Sequence, residues 1–264
     1  MDRKERQRQI VLLLEKLGDV SLEKVCREFG VSPATGRRDF SDIAGRGLAS
    51  KTWGGLRRVG NEERSPRVLS GSFSTRQEKY HQSKKLIAEA AAALVEEGDV
   101  ISIDGGSTTL FIADFLADKR IRVLTNSVPL ALRIDERRSR PGGAEVFLTG
   151  GFLYPETGLL VGPQTVKNLL EYNVRYAFLS CGGLDEVGGM NTNQMVVESE
   201  RVMIAQSEQA VVLADSSKWS RNDMVRAWEW NEVSALITTS GDENLANIVQ
   251  NAGVRLLKVR ESQG

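Results

Sequence analysis

One histidine and two cysteines in 264 residues leave little material for metal or nucleophile chemistry. With His81 alone, a histidine-based metal site or a Ser-His-Asp triad is all but excluded. Cys26 and Cys181 stand 155 positions apart without metal-type spacing, which fits a reducing compartment. Apolar runs are short, and stretches such as Ala90–Val95 and Ala210–Ala214 fall far below the ~20 residues of a membrane span. Met1-Asp2-Arg3-Lys4-Glu5-Arg6 lacks the apolar core of a signal peptide, so a cytoplasmic protein with no membrane partner is expected. Net charge is absent too, with 35 basic residues balancing 35 acidic ones. What is present is ordinary globular composition, 41% apolar and 27% charged, at a length suited to two domains. No metal or cofactor is expected.

The charge balance hides an asymmetry. Residues 1–60 carry 13 basic against 8 acidic residues, which leaves 22 against 27 in the other 204. A basic end points toward nucleic acid, although a chance fluctuation would give the same counts.

Over residues 3–17, Ile10, Leu13, Leu14 and Leu17 recur at helical spacing, and Gly18-Asp19 ends that helix. Ser21 is a candidate cap for a second helix that presents Leu22, Val25, Cys26 and Phe29 and stops at Gly30. Ser32-Pro33 opens a third, proline being harmless at a first helical position, and this helix runs to about Arg46 around Phe40 and Ile43. Three short helices with a tight turn between the last two predict a helix-turn-helix. Leu48–Trp53 and Leu56–Val59, around Gly54-Gly55, predict a two-stranded basic wing. Residues 61–75 lack periodicity and read as a linker between a DNA-binding domain at 1–60 and a second domain at 76–264.

Beyond Gln82 the pattern alternates. Helices are predicted around Ile87–Leu94, Thr109–Leu116, 128–138, 163–172, 195–207 and 242–251. Strands are predicted at Val100–Ile103, Arg122–Leu124, Glu145–Leu148, Ala177–Leu179, Ala210–Leu213, Ala235–Ile237 and Val254–Val259. Alternation of this kind means βα units and a mostly parallel sheet, an α/β domain.

The third helix presents Thr35, Arg37, Arg38 and Ser41 opposite its apolar face, and arginine pairs bidentately with guanine or holds phosphate. With Ser32, Pro33 and the wing residues Lys51 and Arg57 they form the candidate contact set for duplex DNA. A solvated face with ordinary arginines is the plainer reading. In the second domain, Asp104-Gly105-Gly106-Ser107-Thr108-Thr109 follows a strand and opens a helix, where backbone N–H groups and hydroxyls suit a phosphate; a tight capped turn reads equally well. Thr125-Asn126-Ser127, Gly150-Gly151 and Asp215-Ser216-Ser217-Lys218 follow other predicted strands. Ligands of parallel sheets sit beyond such strand ends, so these segments, with Lys218 as a cation, are expected to converge on one small-molecule effector. His81 reads as a surface residue, Trp228 and Trp230 as strand packing, and Cys181 as a small buried side chain.

Val31-Ser32-Pro33-Ala34-Thr35-Gly36-Arg37-Arg38-Asp39-Phe40, then Gly47-Leu48 and Trp53-Gly54-Gly55, resembles the DNA-binding domain of the DeoR family of bacterial regulators. Asp104–Thr109, Thr125–Ser127, Gly150–Gly151 and Asp215–Lys218 resemble that family's C-terminal domain, which is similar to ribose-5-phosphate isomerase. The chain departs from the family at four places. Gly36 replaces a β-branched residue, Trp53 a histidine, Ser220 a glycine, and Glu200 a lysine that commonly precedes Arg201. The resemblance implies a repressor of a sugar or related catabolic operon, relieved by a phosphorylated sugar and working as a homo-oligomer. The competing readings are a sugar-phosphate isomerase, with Asp104 or Asp215 as base and Lys218 steadying an enediolate, and a DNA-binding protein whose second domain serves only assembly.

Overall fold

Apolar residues at helical spacing draw the N-terminal segment into three helices packed on a small sheet. The structure, a computed structural model, describes residues 2–17, 19–45, 49–51, 55–58, 73–155, 157–239 and 242–260. It divides into two units, Met1–Arg67 and Val68–Gly264.

In the first unit, α1 (Arg3–Leu17) buries Ile10 and Leu14. β1 (Asp19–Ser21) leads into α2 (Leu22–Phe29), where the Ser21 side chain accepts from the Lys24 amide and Gly30 closes the helix at φ 63°. Next, α3 (Pro33–Gly45) begins where Ser32 Oγ accepts the Thr35 N–H at 3.3 Å. β2 (Ala49–Lys51) and β3 (Gly55–Arg58) complete an antiparallel sheet ordered β1-β3-β2. Two features differ from the expectation of a two-stranded wing. The segment after α1 is itself a strand, with Val20 opposite Leu56. Gly55 lies within β3 rather than in a turn: a Cβ there would stand 2.2 Å from the Val20 carbonyl oxygen, so β3 can close on β1 only through glycine. Gly47, Leu48, Trp53 and Gly54 lie outside the described residues.

Among its described residues the second unit begins with α4 (Phe73–Glu78), which starts inside the stretch read as a linker. Six residues are too few to display a helical period, although Phe73 does pack against the core. Then come α5 (His81–Ala92), β4 (Val100–Ile103), a 3-10 turn at Thr109–Ile112, and α6 (Ala113–Leu116). β5 (Arg122–Thr125), α7 (Val128–Arg137) and β6 (Glu145–Leu148) follow. A hairpin of β7 (Phe152–Tyr154) and β8 (Leu159–Val161) precedes α8 (Pro163–Leu169) and β9 (Val174–Leu179). After the short β10 (Gly183–Leu184) and β11 (Gly188–Asn191), the chain forms α9 (Gln194–Ala205), β12 (Ser207–Leu213) and β13 (Val225–Glu229). β14 (Ala235–Thr238), α10 (Glu243–Asn251) and β15 (Arg255–Lys258) end it.

Seven strands form one all-parallel sheet in the order β15-β14-β12-β9-β4-β5-β6. Side chains alternate between two apolar layers as the strand period requires. Tyr176, Phe178, Val211 and Ile237 pack with α5, α6 and α7, whereas Ala177, Leu179, Val212 and Leu236 pack with α9 and α10. Helices cover both faces. The expected helix over Thr109–Leu116 is instead a 3-10 turn joined to a four-residue α-helix, with the Phe111 N–H reaching back only as far as the Thr108 carbonyl. The β7–β8 hairpin and the strands β10 and β11 carry no periodic signal, whereas the period-two pair Trp228 and Trp230, read as strand packing, stands at and just after the end of β13.

Candidate functional site

The exposed side of α3 carries Ser32, Pro33, Arg37, Arg38 and Ser41, with Thr35 half-buried. Ser32 caps the helix, and Ser41 Oγ donates to the Arg37 carbonyl at 2.8 Å. Neither Arg37 nor Arg38 has an acidic partner among the described residues. The opposite side buries Gly36, Asp39, Phe40 and Ile43. Asp39, which the sequence reading passed over, accepts from Arg6 Nε at 2.7 Å and from Gln7 Nε2 at 3.0 Å, so it bolts α3 to α1. Gly36 has a packing reason: a Cβ there would lie 2.7 Å from Leu22 Cδ1 of α2. Lys51 and Arg57 sit on adjacent antiparallel strands, while their side chains lie outside what the structure describes.

In the second unit the strand order reverses between β4 and β9, and ligands of open parallel sheets collect at such a switch point. A cleft lies there. Gly105, Gly106, Ser107 and Thr108 after β4 form one wall, and Ser180, Cys181 and Gly182 after β9 form another. Tyr154, Thr157 and Leu159 of the hairpin, Asn191–Asn193 and Val196, Lys218, Asp223 and Arg76 complete it. The glycines matter for space. A Cβ on Gly106 would come 2.0 Å from Ser180 Oγ, and one on Gly105 would come 1.9 Å from Leu159 Cδ2.

Of the expected effector residues, Gly105, Gly106, Ser107, Thr108 and Lys218 line this cleft. The others stand elsewhere, each for a local reason. Thr109 is fully buried, and its hydroxyl accepts the Gly106 N–H at 2.7 Å, so that amide is already used within the loop. Thr125 Oγ1 donates to the Ile103 carbonyl at 2.6 Å, tying β5 to β4, and Ser127 Oγ caps α7 at the Leu130 N–H. Asn126 is buried beside Asp104. Asp104 itself is 1% exposed and lies beneath the cleft wall. Gly150 and Gly151 turn the chain at φ 65° and 120° against α8, where Thr165 Oγ1 donates to the Gly150 carbonyl at 2.7 Å.

Several contributors escaped the sequence reading. Arg76 of α4 lines the cleft with its Nε unpaired, and burial together with nearby Arg221 pushes its guanidinium below the usual arginine range. Lys84, on the buried face of α5, donates to the Arg76 carbonyl. Burial lowers its ammonium to about 8, with Asp215 opposing the shift. A lysine three residues before Ile87 on an apolar face was the visible signal. Asp215 caps its own 3-10 turn by accepting the Ser217 N–H at 3.0 Å and does not line the cleft. Burial pushes the Cys181 thiol up to about 12, which keeps it protonated. His81 is exposed with its ring edge-on to Phe111 at 4.8 Å, and Trp228 and Trp230 pack T-shaped at 5.2 Å. Among the described residues no group of His, Cys, Asp and Glu could hold a metal, and no helix is long and apolar enough to cross a membrane.

Compared with known proteins, residues 6–62 match the DeoR-like helix-turn-helix domain and residues 79–240 match the DeoR C terminal sensor domain. The chain is 31% identical over 238 residues to the uncharacterized HTH-type transcriptional regulator YulB of Bacillus subtilis, covering 90% of this chain and 89% of that one. The HTH-type transcriptional regulator GlpR of Haloferax volcanii is 30% identical, covering 96% of each chain. For UlaR of Shigella sonnei, another HTH-type transcriptional regulator, the identity is 30% and the coverage 97% and 99%. Among solved structures, ribose 5-phosphate isomerase A of Methanocaldococcus jannaschii matches at a TM-score of 0.37 and 18% identity, covering 53% of this chain and 54% of that one.

Proposed function

The chain belongs to the DeoR family of transcriptional regulators, and from that premise we propose that it is a cytoplasmic repressor of a sugar-type catabolic operon. In this reading α3 enters the major groove of operator DNA, and a phosphorylated sugar metabolite in the cleft relieves repression. The carrying observation is the division of α3: Asp39, Phe40 and Ile43 lock one side into the unit, which leaves Arg37 and Arg38 exposed for bases and phosphates. An anionic effector is supported by Arg76 and Lys218 lining the same cleft as the glycine-rich loop. Regulation also requires that the effector prefer one of two conformations, because equal affinity shifts nothing. Of the bases the isomerase reading names, neither Asp104 nor Asp215 lines the cleft, where the acidic side chain is Asp223.

The protein should act as a symmetric oligomer held mainly by its second unit, because paired half-sites multiply the affinity of a small head through effective concentration. The test is a titration of the promoter region beside its own gene with the wild-type chain and with an Arg37→Ala/Arg38→Ala variant. Unchanged binding by the variant would remove the assigned interface. In the same assay Lys218→Ala should keep effector-free DNA binding and lose release by sugar phosphates; a sugar that releases DNA as well as its phosphate would remove the anion assignment.

A further inference from the structure

Beneath the cleft two acidic side chains meet with no cation between them. Asp104, at the end of β4, is 1% exposed, and Glu200, in the middle of α9, is fully buried. Their carboxyl groups lie within hydrogen-bonding reach of each other. Each has one oxygen occupied by a residue that lines the cleft: Ser180 Oγ donates to Asp104 Oδ2 at 3.3 Å, and Asn191 Nδ2 donates to Glu200 Oε1 at 2.7 Å. Their other oxygens, Asp104 Oδ1 and Glu200 Oε2, are buried without a donor. With both carboxyls ionised, two buried negative charges would lie side by side, each with an oxygen lacking a donor, and a single proton on the pair relieves this.

The surroundings decide where that proton belongs. Burial raises the Asp104 carboxyl as well, but the backbone N–H groups of Gly105 and Ser180, the Ser180 hydroxyl and the Asn126 amide lie close to it and oppose that shift. Glu200 has Asn191 alone. The nearest cation on its own helix is Arg201, whose guanidinium is turned away to donate to the Ala227 and Arg226 carbonyls at 3.0 and 2.8 Å. Cys181, at the end of β9 and also near Glu200, is a buried neutral thiol that feels Lys218, Asp215 and Asp223 as well.

We propose that Glu200 is held protonated and donates its proton to Asp104, and that this singly charged pair positions Ser180 and Asn191 on the wall of the anion-binding cleft. The role in the cleft rests on the reading that the cleft takes an anion; the shared proton does not. Loss of the proton would place a second negative charge behind an anion site and would push apart the two carboxyl groups that anchor its wall. A lysine at position 200, as in the family pattern, would meet Asp104 as an ion pair; here a proton stands in for that cation. Burial first, and the Asp104 charge second, raise the Glu200 carboxyl well above the ordinary glutamate range, which agrees with this arrangement. The sign for stability follows. The folded chain keeps a proton that the unfolded chain gives up near the ordinary value, so stability falls as pH rises from there through the folded titration.

Infrared spectroscopy of the full chain at neutral pH reads the proton directly. The C=O stretch of a buried protonated carboxyl is expected in the wild type, vanishing on alkaline titration and absent in Glu200→Gln; in Asp104→Asn burial still holds the Glu200 proton, so the band should persist at a shifted frequency. A wild-type spectrum without that band, a Glu200→Gln variant that retains it, or an unshifted band in Asp104→Asn overturns the shared proton. Sulfate, doubly charged throughout, is the probe for the cleft. Its dissociation constant in the wild type should rise about tenfold or more as the band disappears, and by clearly less in Glu200→Gln, where the Lys84 ammonium at about 8 still titrates beside Arg76; an equal rise in both overturns the positioning role. A wild-type band combined with pH-independent sulfate affinity overturns the positioning role. If sulfate binds at no pH while the band is present, the anion reading of the cleft falls and the shared proton stands.

Discussion

Neighbouring residues of α3 divide stability from recognition. Asp39→Ala would strand the buried Arg6 guanidinium and should cost about 3 kcal/mol in urea unfolding. Arg38→Ala, one position earlier and exposed, should change stability by less than about 0.5 kcal/mol. If it touches a base edge, it should weaken operator binding by about 1–3 kcal/mol in a DNA titration. Ser220 offers a test of opposite sign. It stands where the family pattern has glycine, and its φ of 51° falls in the left-handed region that burdens any residue with a Cβ. Ser220→Gly should therefore raise stability, by about 1 kcal/mol, read as a higher melting temperature. Lys84 gives a pH signature. With its folded value at about 8 against the ordinary 10.5, the folded chain releases this proton before the unfolded chain does, so stability gains between those values. Lys84→Met should lack that gain when urea midpoints are compared at pH 8 and pH 10. At this scale the sequence disclosed the outward arginines and the Ser21 and Ser32 caps, because helical spacing and capping are local. Asp39, Arg76 and Ser180 stayed hidden because their partners lie far along the chain.

Glycines show how elements are fitted together. At Gly36 an added Cβ would press on the flexible tip of Leu22, and alanine would recover about 1 kcal/mol of helix propensity, so Gly36→Ala should stay within about 1 kcal/mol of wild type. At Gly55 the same atom would strike the backbone carbonyl of Val20, which cannot yield without parting β1 from β3. Gly55→Ala should cost more than about 2 kcal/mol and abolish DNA binding, measured by unfolding and by DNA titration. A larger side chain at Gly106 would reach Ser180 before it reached any ligand, so Gly106→Val should loosen the β4–β9 junction as well as block the cleft. Strands of the main sheet were legible as short apolar runs between helical patterns. The hairpin wall at Tyr154–Leu159 and the Gly183–Asn191 strands were not, since two to four residues are too few to show a period. Gly105–Thr108 was read correctly as a strand-end loop, yet the cleft's second wall at Ser180 became apparent only with the strand order, which single strands do not encode.

For the whole molecule, the two units make different physical demands. DNA binding by the basic head should weaken steeply with salt, as counterions released from phosphates no longer favour association. Anion binding in the partly enclosed cleft, as proposed, should respond far less to salt. Timing separates the units as well. Among the described residues every element of the head lies before residue 59, whereas β4 meets β9 through Ile101 and Tyr176, and the cleft is finished only by Lys218 and Asp223. At about 5–20 residues per second, roughly ten to thirty seconds of synthesis separate a foldable head from a complete cleft. Through that interval the nascent protein has a reading helix but nothing to hear with. In the proposed oligomer the surface that pairs the heads awaits the same residues, so firm grip and the means of release arrive together, and an unfinished chain is a weak competitor for the operator rather than a repressor that cannot be lifted.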